Sequence, residues 1–197
     1  GFSTINSPIE NRMPVQTYVI RKEKHAIKEI IERELARNGQ VFYLNNRIES
    51  LQAIATSLSK TIKNAKIAIA HGQLSVEQME DIMQRFINQE FNILLCTTII
   101  ENGIDIPNVN TIIVDNADCF GLSQLYQIRG RIGRSDRIAY AYLMYEARKV
   151  LTTEAEKRLE TIKEFTELGS GFKIAMRDLS IRGAGDLLGL EQSGFIN

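Results

Sequence analysis

Six short apolar runs, separated by segments of helical periodicity, restrict this chain to one broad architecture. Val15–Ile20, Val41–Leu44, Ile67–Ala70, Ile93–Cys96, Thr111–Val114 and Ala141–Tyr145 are rich in β-branched and other apolar residues, with little polar alternation. A strand with one wet face alternates; a near-continuous run has two dry faces, as in a parallel sheet covered by helices on both sides. Between the runs, Glu23–Arg37 carries Ile27, Ile30, Ile31 and Leu35 at helical spacing, and Asn38-Gly39 supplies its stop. Glu49–Leu58 and Val76–Ile87 repeat the pattern, the second behind Ser75 as N-cap with Gln78 in the capping-box position. The expectation is an α/β fold built from βαβ units.

Beyond Tyr145 the texture changes. Thr153–Leu168 and Phe172–Leu179 read as two helices joined at Gly169-Ser170-Gly171, and Arg182–Gly194 is a glycine-rich tail without periodicity. The expected division is a polar linker over 1–13, an α/β domain over 14–150, and a helical hairpin and loop over 151–197. Because the chain opens on Gly1 and a Ser/Asn/Pro-rich stretch, it reads as a piece of a longer protein.

Charge and cysteine content remove several classes of function. The 24 basic residues cancel the 24 acidic ones, so the global basic signature of a histone-like DNA binder is absent, while a local basic groove remains open. Cys96 and Cys119 lie far apart with no Cys/His cluster near them, which predicts reduced core thiols and no metal site. No run approaches the roughly 18 apolar residues of a membrane span, so no membrane partner is expected and the cytoplasm is the expected compartment.

Two segments carry chemistry. Gln127-Ile128-Arg129-Gly130-Arg131-Ile132-Gly133-Arg134 packs three arginines and two glycines into eight residues, a composition no core accepts. Guanidiniums at Arg131 and Arg134 are spaced to share a phosphate, and the glycines let backbone approach a bulky anion; a solvated basic turn is the plainer alternative. The second segment, Thr97-Thr98-Ile99-Ile100-Glu101-Asn102-Gly103-Ile104-Asp105-Ile106-Pro107, follows directly on the run ending at Cys96. Small hydroxyls at the carboxyl end of a parallel strand are where α/β sheets bind ligands, although a capped turn and proline-terminated loop would read the same in isolation.

Together, in this order and with a strand between them, these segments resemble motifs V and VI of superfamily 2 helicases and translocases. The resemblance implies that Gln127, Arg131 and Arg134 face ATP held by a preceding RecA-like lobe, Arg134 being the arginine finger. It also implies that Gly103 and Asp105 lie beside the nucleotide, and that Thr97, Thr98 and Glu101 lie near DNA. Val41–Arg47 is similar to motif IV, which brings in Arg47. His71-Gly72 is similar to the short motif after the next strand, though a lone histidine at a strand end is as often structural.

The chain contains no GxxxxGK[ST] loop and no DExx sequence after an apolar strand. ATP and Mg2+ would therefore be bound mainly by the missing first lobe, and the isolated chain is expected to hydrolyse ATP negligibly and to bind DNA weakly and salt-sensitively.

The tail narrows the resemblance. Arg158-Leu159-Glu160, Leu168–Ala175, Asp178–Gly189 and Gln192-Ser193-Gly194 look like the TRG motif that couples hydrolysis to movement on double-stranded DNA, with Arg158, Arg182 and Gln192 as coupling residues. This motif is shared by the transcription-repair coupling (Mfd) family and the RecG-type branch-migration helicases, and the details of motif V favour the former. That resemblance implies a parent that removes stalled RNA polymerase and recruits excision-repair proteins, through other parts of the molecule. The alternatives are a RecG-like lobe and a non-motor nucleic-acid-binding or interaction module.

Overall fold

The apolar runs lie side by side. In the computed structural model, which describes residues 15–97, 108–120, 137–146, 153 and 172–174, seven strands form one parallel sheet. The elements are β1 (Val15–Arg21), α1 (Lys24–Ala36), β2 (Gln40–Leu44), α2 (Ile48–Thr61), β3 (Ile67–Ala70), α3 (Val76–Ile87), β4 (Ile93–Cys96), β5 (Val109–Val114), a 3-10 turn (Ala117–Cys119), β6 (Ala139–Tyr145) and β7 (Phe172–Ile174). Their order across the sheet is β3-β4-β2-β5-β6-β1-β7. The six predicted strands are all present, two with the predicted bounds and four extended by a residue or two at one end.

The dry-on-both-faces reading holds where it was strongest. Every residue of β2, β4 and β5 is buried. Strand side chains alternate between faces, so each run feeds two cores. Val41, Tyr43, Ile93, Leu95 and Ile113 pack with Ile27, Ile31, Leu51 and Leu58 of α1 and α2. Phe42, Leu44, Leu94, Cys96 and Ile112 pack on the other face with Met83 and Phe86 of α3. Phe86 is fully buried and stacks on Phe42 at 5.7 Å between ring centroids. Side chains buried this completely contribute about 1.5–3 kcal/mol each.

Helix ends follow local chemistry. Ser75 accepts from the Gln78 N–H while the Gln78 side chain accepts from the Ser75 N–H, so the expected capping box is formed and α3 begins at Val76 as predicted. At the other end of α1, Asn38 takes φ 63°, and the Asn38 and Gly39 N–H groups donate to Leu35 and Glu34 carbonyls. This is a Schellman stop, as Asn38-Gly39 suggested. Gln89 closes α3 in the same way, at φ 64°.

Two expectations need correction. Phe172–Ile174, expected to open a helix, is a strand parallel to β1, with Thr17 opposite Phe172 and Val19 opposite Ile174. Without it β1 would present an open row of N–H and C=O groups, and pairing that row is a gain that the weak local helical preference does not outweigh. Cys119, expected in the core, is only half-buried, whereas Cys96 is buried as predicted; both are free thiols. Among the described residues no helix is long and apolar enough to cross a membrane.

Candidate functional site

The carboxyl edge of the sheet gathers what the sequence had scattered. Ala70, Cys96 and Leu44 are register partners at the ends of the adjacent strands β3, β4 and β2. The next residues along the chain are therefore neighbours: His71 and Gly72 after β3, Thr97 after β4, and Asn45 to Arg47 after β2. Four of the sequence-predicted residues, Arg47, His71, Gly72 and Thr97, thus share one edge, where parallel sheets bind ligands. Thr98, Glu101, Gly103, Asp105, Gln127, Arg131, Arg134, Arg158, Arg182 and Gln192 lie outside the described residues.

Each of the four is held differently. Thr97 is buried. Arg47 is exposed at the N-cap of α2, and its N–H donates to the Asn45 side-chain oxygen at 2.9 Å, an Asx turn that sets where the chain leaves the sheet. No carboxylate among the described residues forms an ion pair with the Arg47 guanidinium. His71 closes its own turn, accepting from the Gln73 N–H at Nδ1 (3.2 Å) while its carbonyl accepts from Leu74. That bond requires Nδ1 to be unprotonated and assigns His71 a structural task. Gly72 has nothing within 4 Å of where a Cβ would stand, so space rather than crowding surrounds its backbone.

A hub that sequence reasoning missed holds this edge together. Asp115, directly after β5, is 2% exposed. Its Oδ2 accepts from the Tyr43 hydroxyl (3.0 Å) and from Asn45 Nδ2 (2.9 Å), and its Oδ1 meets Lys22 Nζ at 2.7 Å. One carboxylate thereby ties the ends of β1, β2 and β5, and fixes Asn45, which in turn fixes Arg47. Burial, then the Asp115 charge beside it, pushes the Tyr43 hydroxyl far above its ordinary value, so it remains a donor. The Asn116 amide donates to the Asn46 side chain and closes the same corner. The available signal was positional: an acidic residue that follows an unbroken apolar strand sits at its carboxyl end. Burial likewise pushes the Cys96 thiol up to about 12, which makes it inert packing.

This parallel sheet with helices on both faces and polar groups at its carboxyl edge is that of a RecA-like lobe, as its match to a helicase domain and its likeness to a solved helicase show. Residues 22–136, more than half of the chain, match the helicase conserved C-terminal domain, and the chain belongs to that family. Over 99% of its length the chain is 60% identical to the transcription-repair-coupling factors of Staphylococcus haemolyticus and Staphylococcus epidermidis. It spans 17% of the length of those relatives. Among solved structures it is similar to RecG bound to a three-way DNA junction, with TM-score 0.68 and 36% identity over 89% of this chain and 23% of that one. A DEAD box protein from Methanococcus jannaschii, 20% identical with TM-score 0.61 over 86% of this chain and 42% of its own, shares the fold.

Proposed function

We propose that this chain is the second motor lobe of an ATP-driven double-stranded DNA translocase, one that removes stalled RNA polymerase and couples transcription to excision repair. The observation that carries the reading is its 60% identity, across nearly the whole chain, to transcription-repair-coupling factors. The polymerase and the repair proteins would meet other parts of the longer molecule, as would the preceding lobe's share of ATP and Mg2+.

The division of labour follows from residue chemistry. ATP supplies a phosphoryl group whose transfer develops negative charge, and Gln127, Arg131 and Arg134 are the residues of this chain that would hold and stabilise it, Arg134 as the finger. Gly103 and Asp105 would flank the nucleotide. Thr97, Thr98, Glu101, Arg47 and the His71-Gly72 turn would meet the DNA backbone: hydroxyls and backbone N–H groups donate to phosphate oxygens without reading sequence, as movement along any duplex requires. Open space around Gly72 and the exposed guanidinium of Arg47 support that reading. Arg158, Arg182 and Gln192, in the hairpin and loop proposed over 151–197, would pass closure of the cleft between lobes to the DNA.

The test is Arg134→Ala in the intact, longer protein. A motor lobe loses DNA-stimulated hydrolysis by about 10³ to 10⁵, the usual worth of an arginine finger, and keeps its affinity for duplex DNA. Unchanged hydrolysis, or loss of DNA affinity with hydrolysis retained, would return the chain to a binding module. The isolated chain should show no DNA-stimulated turnover.

A further inference from the structure

We infer that Asn45, gripped by the buried Asp115, is a positioning residue that aims Arg47 at a phosphate of the DNA backbone, an inference that rests on reading Arg47 as a DNA contact. Asn45 follows β2 directly and is 7% exposed. Its Nδ2 donates to Asp115 Oδ2 at 2.9 Å, its Oδ1 accepts from the Arg47 N–H at 2.9 Å, and its own N–H donates to the Cys96 carbonyl at 3.0 Å. One residue thus joins the carboxylate after β5, the end of β4 and the arginine that opens α2.

Both backbone groups of Arg47 are pinned, its N–H by Asn45 and its carbonyl by the Ser50 N–H at 3.1 Å. The direction in which its side chain leaves the backbone is therefore set. The guanidinium itself is exposed and forms no ion pair among the described residues, Glu49 of the same helical turn included. Helix chemistry does not account for an arginine here. Arg47 occupies the N-cap of α2 and supplies no side-chain cap. Arginine has no oxygen to accept the first helical N–H groups, and a cation beside the positive end of a helix is unfavourable. An exposed cation held rigidly where it does not serve the helix points to an anion outside the chain.

The relay needs an amide at position 45. An amide carries a donor and an acceptor on one short planar group, and Asn45 uses both. Aspartate would still accept from Arg47 but would set a second carboxylate against Asp115, and alanine would release both bonds. Asp115 in turn is held by the Tyr43 hydroxyl at 3.0 Å and by Lys22 Nζ at 2.7 Å, so the relay starts from a fixed point. An arginine on a loose loop has to be ordered anew whenever it meets a phosphate, whereas a pinned one is already in place. A protein that moves along DNA makes such contacts repeatedly, so the advantage recurs at every step.

The experiment measures the duplex affinity of the intact, longer protein against salt concentration, below the melting transition of each variant. Arg47→Ala should weaken binding about tenfold and make the slope of log K against log salt shallower by about one, as the loss of one phosphate contact does. Asn45→Ala keeps the guanidinium, yet should reproduce most of both changes, and Arg47→Ala added to it should weaken binding little further. Asn45→Asp should weaken binding as well, and Asp115→Asn in the same chain should recover it, because amide and carboxylate have then only changed places. A merely structural Asn45 would lower the melting temperature and leave the salt slope alone. Wild-type slope in Asn45→Ala, losses that add to those of Arg47→Ala, or no recovery in the exchanged pair would overturn the relay while the Arg47 contact stood. Wild-type affinity and slope in Arg47→Ala would overturn the DNA contact itself, and the relay with it.

Discussion

The two ends of the sheet handle buried polar groups in opposite ways. At the amino edge, Glu34 is 2% exposed and receives both Arg37 Nε and Nη2, at 2.8 and 2.7 Å, together with the Thr111 hydroxyl. The Glu34 bond is the main reason the Arg37 guanidinium is held above its ordinary value. Arg37 Nη2 also donates to the Ile138 carbonyl, and Gln40 Nε2 donates to the Phe86 and Phe91 carbonyls. These bonds turn inward and fasten helix to sheet. At the carboxyl edge, Asp115 fastens the ends of β1, β2 and β5, and through Asn45 it steadies the loop that carries Arg47. One end spends its polarity on holding still; the other uses one buried carboxylate to aim that loop.

The two glycines make the contrast sharp. A Cβ on Gly39 would stand 1.7 Å from Glu34 Oε2, so the bare backbone there is a condition of the Glu34 network. A Cβ on Gly72 would meet nothing within 4 Å.

The largest expected effect comes from Asp115→Ala, which strands Tyr43, Asn45 and Lys22 together. Urea titration should show a loss of about 3 kcal/mol, and in the longer protein DNA-stimulated hydrolysis should fall as well. Asp115→Asn, which keeps an acceptor for Tyr43 and Asn45, should restore most of the stability. If Asp115→Ala lost stability yet left the fully folded protein's hydrolysis intact, the carboxyl edge would be no more than a second amino edge.

Gly39→Ala comes next, at about 2 kcal/mol, because the displaced carboxylate is buried and bonded on all sides. Activity at a temperature where the variant is folded should be unchanged, since this edge aims nothing.

Alkaline pH probes the core between the edges. Burial raises the Cys96 thiol from its ordinary 9.0 to about 12. Below pH 9 both folded and unfolded chains hold this proton and stability is flat on its account. Between about 9 and 12 only the folded chain holds it, so stability falls by up to about 1.4 kcal/mol per pH unit. Cys96→Ala should remove that slope from the denaturation midpoints.

The smallest effect is Gly72→Ala, within about 0.5 kcal/mol by urea titration. Its value is in the split it tests: duplex affinity of the longer protein should drop even though stability does not. A stability loss as large as that of Gly39→Ala would erase the distinction between the two edges.

How much of this was legible depended on the range of the interactions. β2, β4 and β5 were legible because burial on both faces removes every polar residue from a strand, and α3 because Ser75 and Gln78 are three residues apart. The Asp115 hub was not, since its bonds to Asn45 and Tyr43 span 70 and 72 residues and nothing local sets it apart among the 24 acidic residues. The Glu34 network, reaching 77 residues to Thr111, was hidden for the same reason. Phe172-Lys173-Ile174 was misread because three residues carry too little period to separate strand from helix.

Periodicity, caps and stop signals act within a few residues, so the sequence alone determined the parallel α/β class, the six strands and the helix ends. Tertiary structure alone decided which strand ends become neighbours, which carboxylate is buried among them, and that β1 takes β7 as its partner. Those outcomes depend on contacts between residues far apart in the chain, whose free energy appears only when the sheet has brought them together.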